Sequence, residues 1–90
     1  MENQKINLLN VKIQELLAEA FQVSQEIITT DLEFGDIPEW DSLGHMEVMM
    51  QLEDEFGIEI SADTIAELIS IPKIAEYIEN QGKKTNENKT

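Results

Sequence analysis

Ninety residues hold one small domain, with room for a thin core and none for a deep pocket enclosed by two lobes. Nineteen acids against six lysines and no arginine give a formal charge of −13, a surface that repels nucleic-acid phosphate and anionic lipid and favours basic protein patches. Cysteine is absent, which removes disulfides, thiolate catalysis and any cysteine-based zinc site. The opening "MENQKINLLN" lacks the basic start and apolar run of a signal peptide, and no apolar stretch approaches the ~20 residues of a membrane span, so a cytoplasmic protein is expected.

Taken along the chain, residues 6–21 read as an amphipathic helix. Ile6, Leu9, Ile13, Leu16, Leu17, Ala20 and Phe21 return at helical spacing, with Lys12, Gln14, Glu15 and Glu19 on the other side. The next stretch, "QVSQEIITTDLEFGDIPEWD", has no sustained helical period. It contains Val23, Ile27, Ile28, Leu32, Phe34, Ile37 and Trp40, enough apolar surface to pin it across a bundle, so an ordered loop with a short helical turn is expected. A second helix is predicted from about Ser42 to Phe56, capped by Asp41 or Ser42 and closed by Gly57. "GIEIS" is a short extended link. Ser61 caps a brief third helix through about residue 69, with Ile65 and Leu68 turned inward. Pro72 sits just inside the start of a fourth helix, whose face is Ile71, Ile74, Ala75, Tyr77 and Ile78. The result is a small all-α, four-helix bundle over residues 1–80, followed by a polar tail, residues 81–90, expected to be disordered.

The second helix has two apolar stripes. Val48, Met49, Leu52 and Phe56 are the natural core positions. Leu43, Met46 and Met50 lie on a neighbouring stripe, flanked by Glu47, Glu53, Asp54 and Glu55. By periodicity alone those three either pack in the core or form an apolar strip with an acidic rim, where adaptable methionines meet partners of different shape. From Glu39 to Asp63 there are eight acids and no base, a sharper excess than that of the whole chain. His45, the single histidine, has no second histidine, cysteine or well-placed serine beside it and reads as a satisfied surface or boundary residue. The carboxylates of "EDEFGIE" and "DLEFGD" do not follow the ligand spacing of an EF-hand, and no dedicated metal site is expected. With no nucleophile–base pair and no cleft able to shift carboxylate pKa values, an independent enzyme is not expected either.

Asp-Ser-Leu alone marks little more than a helix cap. The longer run "DSLGHMEVMMQLEDEFGIEI", residues 41–60, closely resembles the second helix of acyl carrier proteins, which has Asp-Ser-Leu, an apolar and acidic helix and a closing Glu-Phe-Gly-Ile. The preceding helix and loop, the short third helix and the final "KIAEYIE" fit too, so the resemblance covers roughly residues 5–80. It implies that Ser42 carries 4′-phosphopantetheine through a phosphodiester, installed from coenzyme A by a magnesium-dependent phosphopantetheinyl transferase. The arm would supply the thiol for thioester carriage that this cysteine-free chain lacks. The resemblance assigns Asp41 to the recognition motif. It marks Leu43, Met46, Glu47, Met50, Glu53 and Asp54 as the face read by acyl-loading and acyl-transferring enzymes with basic patches. It maps Val48, Leu52 and Phe56 to inward positions lining the bundle and, with a long acyl chain, its cavity. A monomer working in a fatty-acid, polyketide or related pathway is expected. A purely acidic interaction module that never receives the arm, or an aminoacyl or peptidyl carrier, would share most of these features.

Two positions depart from the pattern. Gly44 stands where fatty-acid carriers often have an acid, at a helix cost of up to ~1 kcal/mol relative to alanine. Trp40 replaces a small residue before the aspartate, where it is expected to anchor the loop. "EWDSLGH" looks more like stand-alone carriers of specialised pathways than like the housekeeping fatty-acid carrier.

Overall fold

The computed structural model describes the backbone of residues 2–89 and the side chains of residues 8–81. Four helices follow in order: α1, Glu2–Phe21; α2, Ser42–Phe56; α3, Ala62–Ile65; and α4, Ile71–Lys89. The described residues contain no β-strand, and the all-α bundle expected from the periodicity is the observed architecture. α1 packs against both α2 and α4. Its buried Ile13, Leu16, Leu17, Ala18 and Phe21 meet Val48, Met49 and Leu52 of α2 and Ile71, Ile74 and Ala75 of α4 in a single core.

Helix ends follow local chemistry. Asp41 is the N-cap of α2, with an extended backbone and a side-chain oxygen accepting from Gly44 N–H at 2.8 Å. Gly57 ends the same helix at φ 64°, the left-handed conformation that costs glycine least. α1 ends differently. Gln22 takes φ 59°, with its own N–H on Glu19 O at 3.2 Å and that of Val23 on Ala18 O at 3.0 Å, a Schellman closure built on a residue with a Cβ. α3 is capped by Ser61, whose hydroxyl accepts from Thr64 N–H. It spans four residues instead of continuing to residue 69, because the chain after it turns away to meet the long loop.

That loop is ordered, with a short 3-10 turn at Gln25–Ile27. Ile28, Leu32 and Trp40 are buried and Val23 and Ile37 pack partly against the core, but Ile27 and Phe34 stay exposed, so fewer apolar residues pin the loop than the sequence offers. Polar ties complete the attachment. Gln14 Nε2 donates to Ile28 O at 2.6 Å, Phe34 N–H donates to Ile69 O at 2.9 Å, and Glu33 bridges Ser70 in antiparallel fashion. The link after α2 is held likewise, with Tyr77 donating to Glu59 O at 2.7 Å and Ile60 N–H donating to Glu53 Oε2 at 2.8 Å. The expected behaviour of the side chains after residue 81 lies outside the described residues, while the backbone of α4 continues past residue 80.

Candidate functional site

The start of α2 carries the candidate site. Asp41 Oδ1 takes the N–H of Gly44 and Asp41 O takes that of His45 at 2.7 Å, which leaves the first-turn N–H groups of Ser42 and Leu43 pointing along the helix axis without a described acceptor. Ser42 is exposed, and its hydroxyl makes no hydrogen bond among the described residues. The capping work is therefore done by Asp41, and the serine oxygen is left over. That arrangement fits a phosphoryl group on Ser42, since unpaired N–H groups and the positive end of a 15-residue helix favour a phosphate there by roughly 0.3–1 kcal/mol, with Asp41 opposing part of the gain.

Next to Ser42, Leu43 is 82% exposed, Met50 62% and Met46 44%. Core packing does not consume this stripe; Val48, Met49 and Leu52 fill the core from the other side of the helix, with Phe56 half-buried beside them. Glu47 and Asp54 are exposed along the strip. Glu53 is only partly exposed, and one of its carboxylate oxygens is engaged by Ile60 N–H, so it holds the end of α2 to the following link as well as adding charge to the rim.

Sequence patterning missed what lies beneath the serine. His45 is satisfied, as expected, but it is buried at 5% exposure instead of lying at the surface. Its Nδ1 accepts from the indole Nε1–H of Trp40 at 3.0 Å. An indole N–H can only donate, so Nδ1 is unprotonated and Nε2 carries the proton that it donates to Ile65 O at 2.8 Å. Trp40 itself is fully buried, the loop anchor that the sequence suggested, with its ring tilted against Phe21 at 5.8 Å. Phe34 meets the imidazole edge-on at 5.3 Å. A tryptophan just before the cap and a histidine five residues later were the available signal, but nothing in periodicity says that their nitrogens face each other.

Gly44 belongs to this packing. A Cβ at that position would overlap the carbonyl oxygen of Glu39 and lie 3.1 Å from Phe21 Cε1. The missing side chain is turned toward the loop and α1, so its absence serves close approach of the backbone.

The fold and the site thus define a class: a small all-α bundle whose second helix opens on an exposed serine beside an apolar, acid-rimmed strip. Residues 11–78 match the family model described as "Phosphopantetheine attachment site". The acyl carrier protein of Lactobacillus johnsonii is 36% identical over 69 residues, covering 77% of this chain and 86% of that protein. That of Exiguobacterium sibiricum is 41% identical over 71 residues, covering 79% and 90%. That of Buchnera aphidicola is 33% identical over 79 residues, covering 88% of this chain and 100% of its relative. The chain belongs to the acyl carrier protein family. Its function is that of a carrier, its prosthetic group is 4′-phosphopantetheine, and the family is not catalytic.

Proposed function

We propose that Ser42 is the residue that bears the arm, and that residues 1–80 suffice to receive it. The observation that carries this reading is the exposed, unbonded hydroxyl of Ser42 at the first position of α2, with Asp41 already occupied as the cap. The bound group supplies a thiol on which acyl groups are held as thioesters. This chain's own residues do the rest. Ser42 would anchor the arm, the N–H groups of Ser42 and Leu43 would be available to its phosphate, and Asp41 fixes the turn and adds the charge that a phosphopantetheinyl transferase reads. Leu43, Met46 and Met50 form the contact strip for acyl-loading and acyl-transferring enzymes. Glu47, Glu53 and Asp54 draw the basic patches of those enzymes, chiefly by speeding encounter. No described helix is long and apolar enough to cross a membrane, and a monomer working in the cytoplasm fits the charge and the size.

The test is intact-protein mass spectrometry after incubation with coenzyme A and a broad-specificity transferase. The wild-type chain gains the mass of one phosphopantetheine, and Ser42→Ala gains none while keeping its helical circular dichroism. A truncation after residue 80 is modified like the full chain. Absence of the added mass with several such transferases, or its persistence in Ser42→Ala, overturns the assignment. Retention of the same basic partners by an arm-less wild-type chain would instead mark a plain interaction module.

A further inference from the structure

On the reading that Ser42 bears the arm, we propose that Trp40 and His45 form a plug that closes the bundle beneath that serine and keeps the cargo outside, so that this carrier serves short or polar acyl groups. His45 ties α2 to α3, with Nε2–H on Ile65 O at 2.8 Å. Between α2 and the long loop, the Glu39 carbonyl occupies the space a side chain at Gly44 would fill, with the Phe21 ring close to the same point. The fully buried indole of Trp40 joins the two contacts, 5.8 Å from the Phe21 ring and 6.2 Å from the imidazole, with its N–H on His45 Nδ1. Phe34, itself partly exposed, meets the imidazole edge-on.

Apolar side chains around these contacts could shift at little cost, but the polar groups cannot. A hydrocarbon chain wedged in beside His45 would part it from Trp40 and from Ile65 O, leaving a buried indole N–H and a buried imidazole without partners and breaking a part-buried bond to the Ile65 carbonyl. Short chains bring too few methylenes to offset that loss, and polar ones bring fewer still. Val48 and Leu52 are fully buried and serve the core.

The chain has one tryptophan, so its emission reports on the plug directly. Apo protein is loaded by a broad transferase from acetyl-, butanoyl- or octanoyl-coenzyme A, loading is verified by intact mass, and melting temperature and emission maximum are then measured. The wild-type chain is expected to show neither value changing with acyl length. In His45→Ala the octanoyl form melts at least about 4 °C above the acetyl form, as an occupied core requires in a domain of this size. Trp40→Phe keeps a ring in the core while removing the N–H, and it gives the same comparison by melting temperature if His45→Ala does not fold. A rise with acyl length in the wild-type chain overturns the plug, as does a flat response in both variants. A chain that gains no mass overturns the attachment reading itself, and this one with it.

Discussion

Gly44 sits where two physical effects pull in opposite directions. Alanine in a helix interior is favoured over glycine by ~1 kcal/mol. Here a Cβ would overlap the Glu39 carbonyl oxygen, a backbone atom that cannot rotate aside, and overpacking of that kind costs about 1–3 kcal/mol. The steric effect wins, so Gly44→Ala lowers the melting temperature by several degrees in thermal denaturation; a rise would show that the loop steps back freely. Asp41 poses a similar question of attribution, because it caps α2 and also carries the charge assigned to transferase recognition. Asparagine caps about as well as aspartate, whereas alanine gives up ~1 kcal/mol. Asp41→Asn therefore keeps the melting temperature within about 1–2 °C of wild type and slows phosphopantetheine transfer. Asp41→Ala lowers both, and the contrast between the two variants isolates the charge. An Asn variant modified at the wild-type rate would leave Asp41 as a cap only.

The two long helix ends that show left-handed residues make a matched pair. α2 closes on Gly57, but α1 closes on Gln22 at φ 59°, where a Cβ adds ~1–2 kcal/mol of backbone strain. Glycine relieves that strain and gives back part of the gain as unfolded-state entropy. Gln22→Gly is expected to stabilise the chain by about 0.5–1 kcal/mol, and Gly57→Ala to destabilise it by about as much, both read from urea unfolding midpoints at constant slope. These ends also show why some elements were legible in the sequence and others were not. The span of α2 was readable because a capping residue and Gly57 punctuate it chemically, although the sequence left the cap open between Asp41 and Ser42. The core stripe of Val48, Met49 and Leu52 followed from 100° spacing, as did the strip of Leu43, Met46 and Met50, although spacing alone left the strip's exposure open. α3 was read too long because its last residues are claimed by tertiary pairing: Ile69 O takes the Phe34 N–H and Ser70 bridges Glu33. The Trp40–His45–Ile65 connection depends on the loop folding back over α2, a long-range event without a local period. For the same reason His45 read as a surface or boundary residue, although Trp40 already read as a loop anchor.

At the scale of the whole molecule, charge works against the fold and, on the proposed function, for binding to basic partners. The described residues contain one Lys–carboxylate ion pair, Lys12 with Glu55 at 3.6 Å, both largely solvent-exposed, and exposed pairs of this kind contribute 0–1 kcal/mol. Lys12 also lies 5.9 Å above the Phe56 ring, tying α1 to the end of α2. Against these small gains stands the mutual repulsion of a chain at −13. Screening should relieve it, because the Debye length falls to ~10 Å at 0.1 M salt. Sodium chloride is therefore expected to raise the melting temperature as it weakens binding to basic partner enzymes, with the loss falling mainly on the association rate. Millimolar magnesium or calcium should raise it further per unit concentration through their double charge. Among the described residues no three carboxylates or histidines come together to hold an ion, so the rise should be gradual and similar for the two cations. Calorimetric scans across a salt series and stopped-flow mixing with a basic partner test both halves at once. A melting temperature that stays flat or falls with salt would show the acids already compensated within the fold, and the cost assigned here to the recognition surface would be absent.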